Sequence, residues 1–94
     1  MQADLNNVKS DIEIAGYDVC VIGAGAAGIS LALDLASRGK RVALCEGGGV
    51  DDTDESEEVY VGKNIGDEYF ELEDCRQRYF GGSTNCWAGW CRTL

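Results

Sequence analysis

A chain of 94 residues has room for one small domain and a modest core. Its apolar fraction of 45% excludes wholesale disorder. Its net charge of −9, from 8 basic and 17 acidic residues, leaves no basic surface for phosphates, so neither nucleic acid nor an anionic membrane is an expected partner.

Residues 1–16 read as a polar leader with little periodicity. Tyr17–Ile22 is apolar and β-branched and stops at Gly23, which predicts a short buried strand. A helix is predicted from Ala26 or Ala27 to Arg38, rich in alanine and leucine and closed by Gly39 where a left-handed cap is wanted. Its apolar residues nearly encircle it, so it is expected to pack against a sheet on one side and other protein on the opposite side. Arg41–Glu46 predicts a second apolar strand. Strand, helix and strand within about 30 residues make a βαβ unit with parallel pairing and a right-handed crossover. The 15-residue apolar run Val19–Leu33 follows an acidic leader, is interrupted by glycines and is too short to span a bilayer. No targeting or membrane segment is expected, and a cytoplasmic location follows.

Residues 51–74 hold eleven acids and one base, a net −10 that leaves the rest of the chain at +1. This reads as a long acidic insert, a solvated surface loop. Its spacing matches no calcium loop, so no metal site is expected. The last segment is "RQRYFGGSTNCWAGWCRTL". Arg76 and Arg78 are expected to make exposed ion pairs with the insert, and Tyr79, Phe80, Trp87 and Trp90 to be packing residues. Five cysteines, an odd number, do not suit a secreted disulfide framework. Cys20 and Cys45 fall inside the strand patterns and are expected to be small buried hydrophobes.

The chemistry-bearing signal is Gly23-Ala24-Gly25-Ala26-Ala27-Gly28. A bare G-x-G-x-x-G is a common strand-to-helix turn, but this one follows a strand, opens a helix and precedes Glu46, 18 residues past Gly28. The first glycine permits the tight turn, the second lets backbone N–H groups approach a pyrophosphate, and the third lets helix and strand pack closely. Glu46 can accept hydrogen bonds from the ribose hydroxyls of an adenosine and would repel a 2′-phosphate, which disfavours NADP. Dinucleotide binding by residues Gly23–Gly28 and Glu46 is therefore expected. A second cluster, Gly81-Gly82-Ser83-Thr84-Asn85, would let another backbone segment approach the cofactor, with Ser83 and Thr84 as possible donors.

With these residues the chain resembles the glucose–methanol–choline (GMC) flavoprotein oxidoreductases. The resemblance rests on Gly23, Gly25, Gly28, Glu46 and Gly81–Asn85 and covers roughly residues 17–49 and 76–91. It implies FAD as cofactor, with the first motif on the ADP pyrophosphate, Glu46 on the ribose and the second cluster near pyrophosphate and flavin. The "GGSTNCWAG" form is similar to the sugar-oxidising branch that includes pyranose oxidases, which implies a sugar or alcohol as substrate. Some of those enzymes tether the flavin to a histidine immediately before the tryptophan; Cys86 stands there in this chain.

The resemblance also marks what is missing. GMC enzymes use a histidine-based proton acceptor near the C-terminus of a longer chain; this chain has no histidine, and no catalytic residue can be assigned. The fold class expected is α/β, an incomplete Rossmann-like FAD/NAD(P)-binding βαβ unit with a long acidic insert. Residues 17–94 are expected to be the N-terminal portion of an FAD-binding domain, without a substrate domain and inactive alone. Its partner would be the missing C-terminal part or a complementary subunit. Two alternatives stay open. Cys86 and Cys91, spaced C-x4-C after a glycine pair, suit a pyridine nucleotide–disulfide oxidoreductase fragment that exchanges electrons through a disulfide beside the flavin. A non-catalytic nucleotide-binding module is the other.

Overall fold

The computed structural model describes residues 2–11 and 13–86. Among them, strand β1 (Val19–Ile22), helix α1 (Ala26–Ser37) and strand β2 (Val42–Cys45) follow in that order, and β1 pairs with β2 in parallel. Val19 lies opposite Val42, Cys20 opposite Ala43, Val21 opposite Leu44 and Ile22 opposite Cys45. This is the expected βαβ unit, with each strand shorter than its apolar run. Asp18 takes the first rung instead of strand residues: its N–H donates to the Arg41 carbonyl at 2.8 Å, while its carboxylate accepts from the Arg41 N–H at 2.8 Å.

Helix α1 starts at Gly25 in an extended conformation and closes at Gly39, whose φ of +78° is the left-handed geometry that glycine adopts without a Cβ penalty. Its half-buried residues are Gly28, Ile29, Ala32 and Leu35, the three-and-four spacing of one helical face. Leu31 and Leu33 lie in solvent at 50% and 66% exposure. Among the described residues the encircling apolar pattern meets protein on one side, the face toward the sheet. The core is small: Val21 and Ala24 are its buried apolar residues among those described.

The sheet face turned away from α1 is open. Ile22 on that face is 89% exposed, Cys20 is exposed and Cys45 half-buried, so neither cysteine is the buried hydrophobe that its strand pattern suggested. Strand alternation put them on the uncovered side. The radius of gyration, 16.0 Å, exceeds the roughly 12 Å of a compact domain of this length. The chain spreads around its βαβ unit instead of closing over it.

The acidic segment is not simply a loop. Thr53 caps a helical turn, α2 (Asp54–Glu57), its hydroxyl accepting from the Ser56 N–H at 3.3 Å. Asp54, Glu55 and Glu57 lie in that first turn, where the positive end of the helix dipole favours carboxylates. A 3-10 turn continues it over Glu58–Tyr60, and another spans Gly82–Asn85.

Candidate functional site

The site grows from the turn that leaves β1. Gly23 has φ +98°, a conformation that a side chain would strain, and its N–H donates to the Cys45 carbonyl at 2.7 Å. Gly28 is required for a different reason. A Cβ there would collide with the Gly23 carbonyl and touch Val21 Cγ1 at 3.5 Å, so helix and strand approach only because it is absent. At Gly25 a Cβ would meet nothing within 4 Å. The space beside the middle glycine is open, and the first N–H groups of α1, at Ala26, Ala27 and Gly28, have no acceptors inside the helix. An open approach to unpaired donors at a positive helix end suits a diphosphate.

The second glycine cluster joins the first. Gly81 forms a parallel bridge with Gly25, its N–H donating to the Ala24 carbonyl at 2.8 Å. Gly82 lies so close that its Cβ would stand 3.6 Å from Gly25 Cα. Gly81 and Gly82 both have positive φ, +95° and +55°. Residues 56 positions apart thus share one wall of the turn.

The polar residues of this cluster are bound up in the turn itself. Ser83 Oγ accepts from the Gln77 N–H at 3.2 Å and keeps its own proton for donation. Thr84 donates its hydroxyl to the Gly81 carbonyl, so that donor is committed. Asn85 Nδ2 donates to the carbonyls of Phe80 at 2.9 Å and Gly82 at 3.1 Å.

Glu46 sits at the end of β2 and faces the first turn. One carboxylate oxygen accepts from the Ala24 N–H at 2.6 Å, the other from the Gly48 N–H at 2.9 Å. Partial burial pushes this carboxyl up, but the N–H groups of Gly48, Ala24 and Gly47, together with the Arg78 guanidinium, outweigh it and hold it below the usual carboxylate range. Glu46 is thus ionised and ties the two glycine turns together.

Sequence reasoning missed the next contact. Residues 78–81 run alongside Gly47–Gly49: Tyr79 bridges Gly49, and the Phe80 N–H donates to the Gly49 carbonyl at 2.9 Å. A Cβ on Gly48 would collide with the Arg78 carbonyl, and one on Gly47 would reach Arg78 Nη2 at 2.7 Å. The run of three glycines after Glu46 was the available signal. Helix α2 fixes the far side of this segment. Buried Ser56 donates to the Arg78 carbonyl, Glu57 accepts from the Arg78 N–H at 2.6 Å, and Arg78 Nη1 donates to Ser56 Oγ at 3.3 Å. Arg78 meets the acidic segment through its main chain and a hydroxyl, and among the described residues it makes no ion pair, unlike the surface pairing expected. Trp87, Trp90 and Cys91, and with Cys91 the proposed Cys86–Cys91 pair, lie outside the described residues.

The family comparison falls on the first half of this site. Residues 18–58 match the family described as FAD dependent oxidoreductase. The cofactor is FAD. The chain is also similar to "Probable oxidoreductase OrdL" of Haemophilus influenzae, 57% identical over 35 residues. Those residues are 37% of this chain and 8% of that protein, so the chain spans only a small part of its relative's length. No solved structure matches. The match covers Glu46, α2 and the first turn, and that turn's main chain offers the open donors that an FAD diphosphate would use; the second glycine cluster lies beyond it. No group of three or more metal-ligating side chains occurs among the described residues, and no helix there is long and apolar enough to cross a membrane.

Proposed function

We propose that this chain is the FAD-binding segment of an oxidoreductase, with one cradle made by two glycine segments. The backbone of Gly23–Gly28 holds the diphosphate, Glu46 takes the ribose hydroxyls, and Gly81–Asn85 forms the opposite wall, with Ser83 offering a hydroxyl proton. The observation that carries this reading is the bridge between Gly25 and Gly81, which sets the second cluster at the mouth of the first. FAD, when bound, supplies the hydride acceptor. The chain's own residues bind and orient: positive helix end toward the phosphates, ionised Glu46 toward the sugar. Each Glu46 oxygen accepts one loop N–H and keeps a further lone pair for a ribose hydroxyl, and its lowered pKa keeps it an acceptor throughout.

The finer reading is oxidation of CH–OH groups in sugars or alcohols, of the GMC type. It is supported by the Gly81–Asn85 sequence and its position against the first motif. The proton acceptor would come from outside these residues, since the chain has no histidine. Two measurements test this. Equilibrium dialysis of the full chain against FAD, NAD and NADP should retain FAD and reject NADP; equal retention of all three overturns the cofactor assignment. Anaerobic mixing of the flavin-loaded complete protein with sugars, alcohols and amino acids should bleach the flavin with the first two. Bleaching by amino acids alone would replace the CH–OH reading.

A further inference from the structure

The cradle leaves one pair of reactive side chains without a role. Cys20 and Cys45 lie on the open face of the sheet with their sulfurs 3.8 Å apart. Both are free thiols, Cys20 exposed and Cys45 half-exposed. The parallel register explains the meeting: Cys20 is opposite Ala43 and Cys45 opposite Ile22, so the two thiols are diagonal neighbours on one face. Together they line a shallow cavity of about 220 Å³ with Ile14, Tyr17 and Ala43. A small reagent can reach both sulfurs from that side.

We infer that Cys20 and Cys45 form a dithiol site that reacts with low-molecular-weight disulfides and closes into a reversible cross-strand disulfide. The sulfurs stand 3.8 Å apart against about 2.05 Å in a disulfide, and diagonal neighbours lie about 7–8 Å apart at Cα, just beyond the usual disulfide span, so closure requires side-chain rotation together with a small approach of the two strands. The steps balance. The thiolate of exposed Cys20 attacks one sulfur of the reagent, forms a mixed disulfide and releases one thiolate. Cys45, having lost its proton to solvent, attacks the Cys20 sulfur and releases the second. Two thiols of the chain are oxidised and one reagent disulfide is reduced to two thiols. The neighbouring Cys20 sulfur, as hydrogen-bond partner, and then partial burial push the Cys45 thiol up, which suits its part as the second, slower attacker. Closure would pin the strand that leads into Gly23 to the strand that carries Glu46. The inference is independent of the flavin reading.

Trypsin makes the test direct, because cleavage at Lys9, Arg38, Arg41 and Lys63 puts Cys20 alone in residues 10–38 and Cys45 alone in residues 42–63. The full chain is treated with oxidised glutathione, quenched with an alkylating agent, digested and weighed. The expected product is the two peptides joined and lighter by two hydrogens, reverting on mild reduction. The joined product should form at least tenfold faster in the native chain than in the chain dissolved in concentrated denaturant. In Cys45→Ser, glutathione should remain on Cys20. Because Cys75, Cys86 and Cys91 can compete, a chain with those three changed to serine should give the same joined pair. Cys20 joined mainly to another cysteine, a glutathione adduct that persists on Cys20 in the native chain, or equal rates with and without denaturant would each overturn the inference.

Discussion

The two halves of the described chain are held in different ways. Residues 17–49 form regular structure, a strand, helix and strand that meet by side-chain packing at Val21 and by ladder hydrogen bonds. Residues 51–86 hold only short turns and attach to the first half main chain to main chain, through Phe80 to Gly49 and Gly81 to Ala24. Glycine serves both, but for different reasons. In the first half it permits a turn and a close helix; at Gly47–Gly49 and Gly81–Gly82 it lets a remote segment lie against the backbone. The candidate site lies where the two halves meet, so changes should separate loss of fold from loss of junction.

The largest effect is expected from Gly28→Val. Its side chain meets the Gly23 carbonyl and Val21, so the helix must leave the strand, at a cost of about 3 kcal/mol. Urea unfolding followed by circular dichroism should show the loss in the first half and in every property of the site. Gly48→Ala should act only at the junction, because its Cβ meets the Arg78 main chain. A loss of about 1–3 kcal/mol is expected, read as faster tryptic cleavage at Arg76 and Arg78 while the helical signal of α1 persists.

Glu46→Ala removes the acceptor shared by the Ala24 and Gly48 N–H groups. FAD affinity should fall roughly tenfold to a hundredfold, from about 1.5–3 kcal/mol for hydrogen bonds to a charged group. Acid should reproduce part of this. Glu46 is held low by its N–H partners despite burial, and Asp18 is held low by the Arg41 N–H and then its guanidinium. Both carboxylates stabilise the fold fully above the usual carboxylate range, and that contribution is lost as pH falls through their depressed values. The thermal midpoint should therefore drop on acidification, and the drop should be shallower in Asp18→Asn and Glu46→Gln. The smallest effect belongs to Asp34→Asn, which breaks an exposed i,i+4 pair with Arg38 at 2.9 Å. About 0.3–0.5 kcal/mol is expected from denaturation midpoints, diminishing with salt.

Much of the first half was legible because its signals are local. The β-branched run, the cap at Gly39 and the motif glycines each act within a few residues, and the observed β1, α1 and β2 lie inside the predicted spans. The second half was legible only in parts. Thr53 before a run of acids is a helix-start signal, yet the charge of that run suggested a solvated loop; Ser56 and Glu57 instead grip the Arg78 main chain. The contact of residues 78–81 with Gly47–Gly49 leaves only the glycine run as a signal and nothing that names its partner, because backbone pairs with backbone across some 30 residues of sequence. Cys20 and Cys45 were misplaced for another reason. Strand alternation gives two faces but does not say which is covered, and here their face is the open one.

Titration of FAD into the full chain and into Gly25→Ala, followed by flavin fluorescence, tests the shared cradle most directly. A Cβ at Gly25 meets no protein atom within 4 Å, so folding should be unchanged while the space left for the diphosphate is filled. The native chain should quench FAD fluorescence saturably, with ADP competing, and Gly25→Ala should bind at least tenfold more weakly at equal thermal stability. Equal FAD binding by both chains, or none by the native chain, would contradict the account.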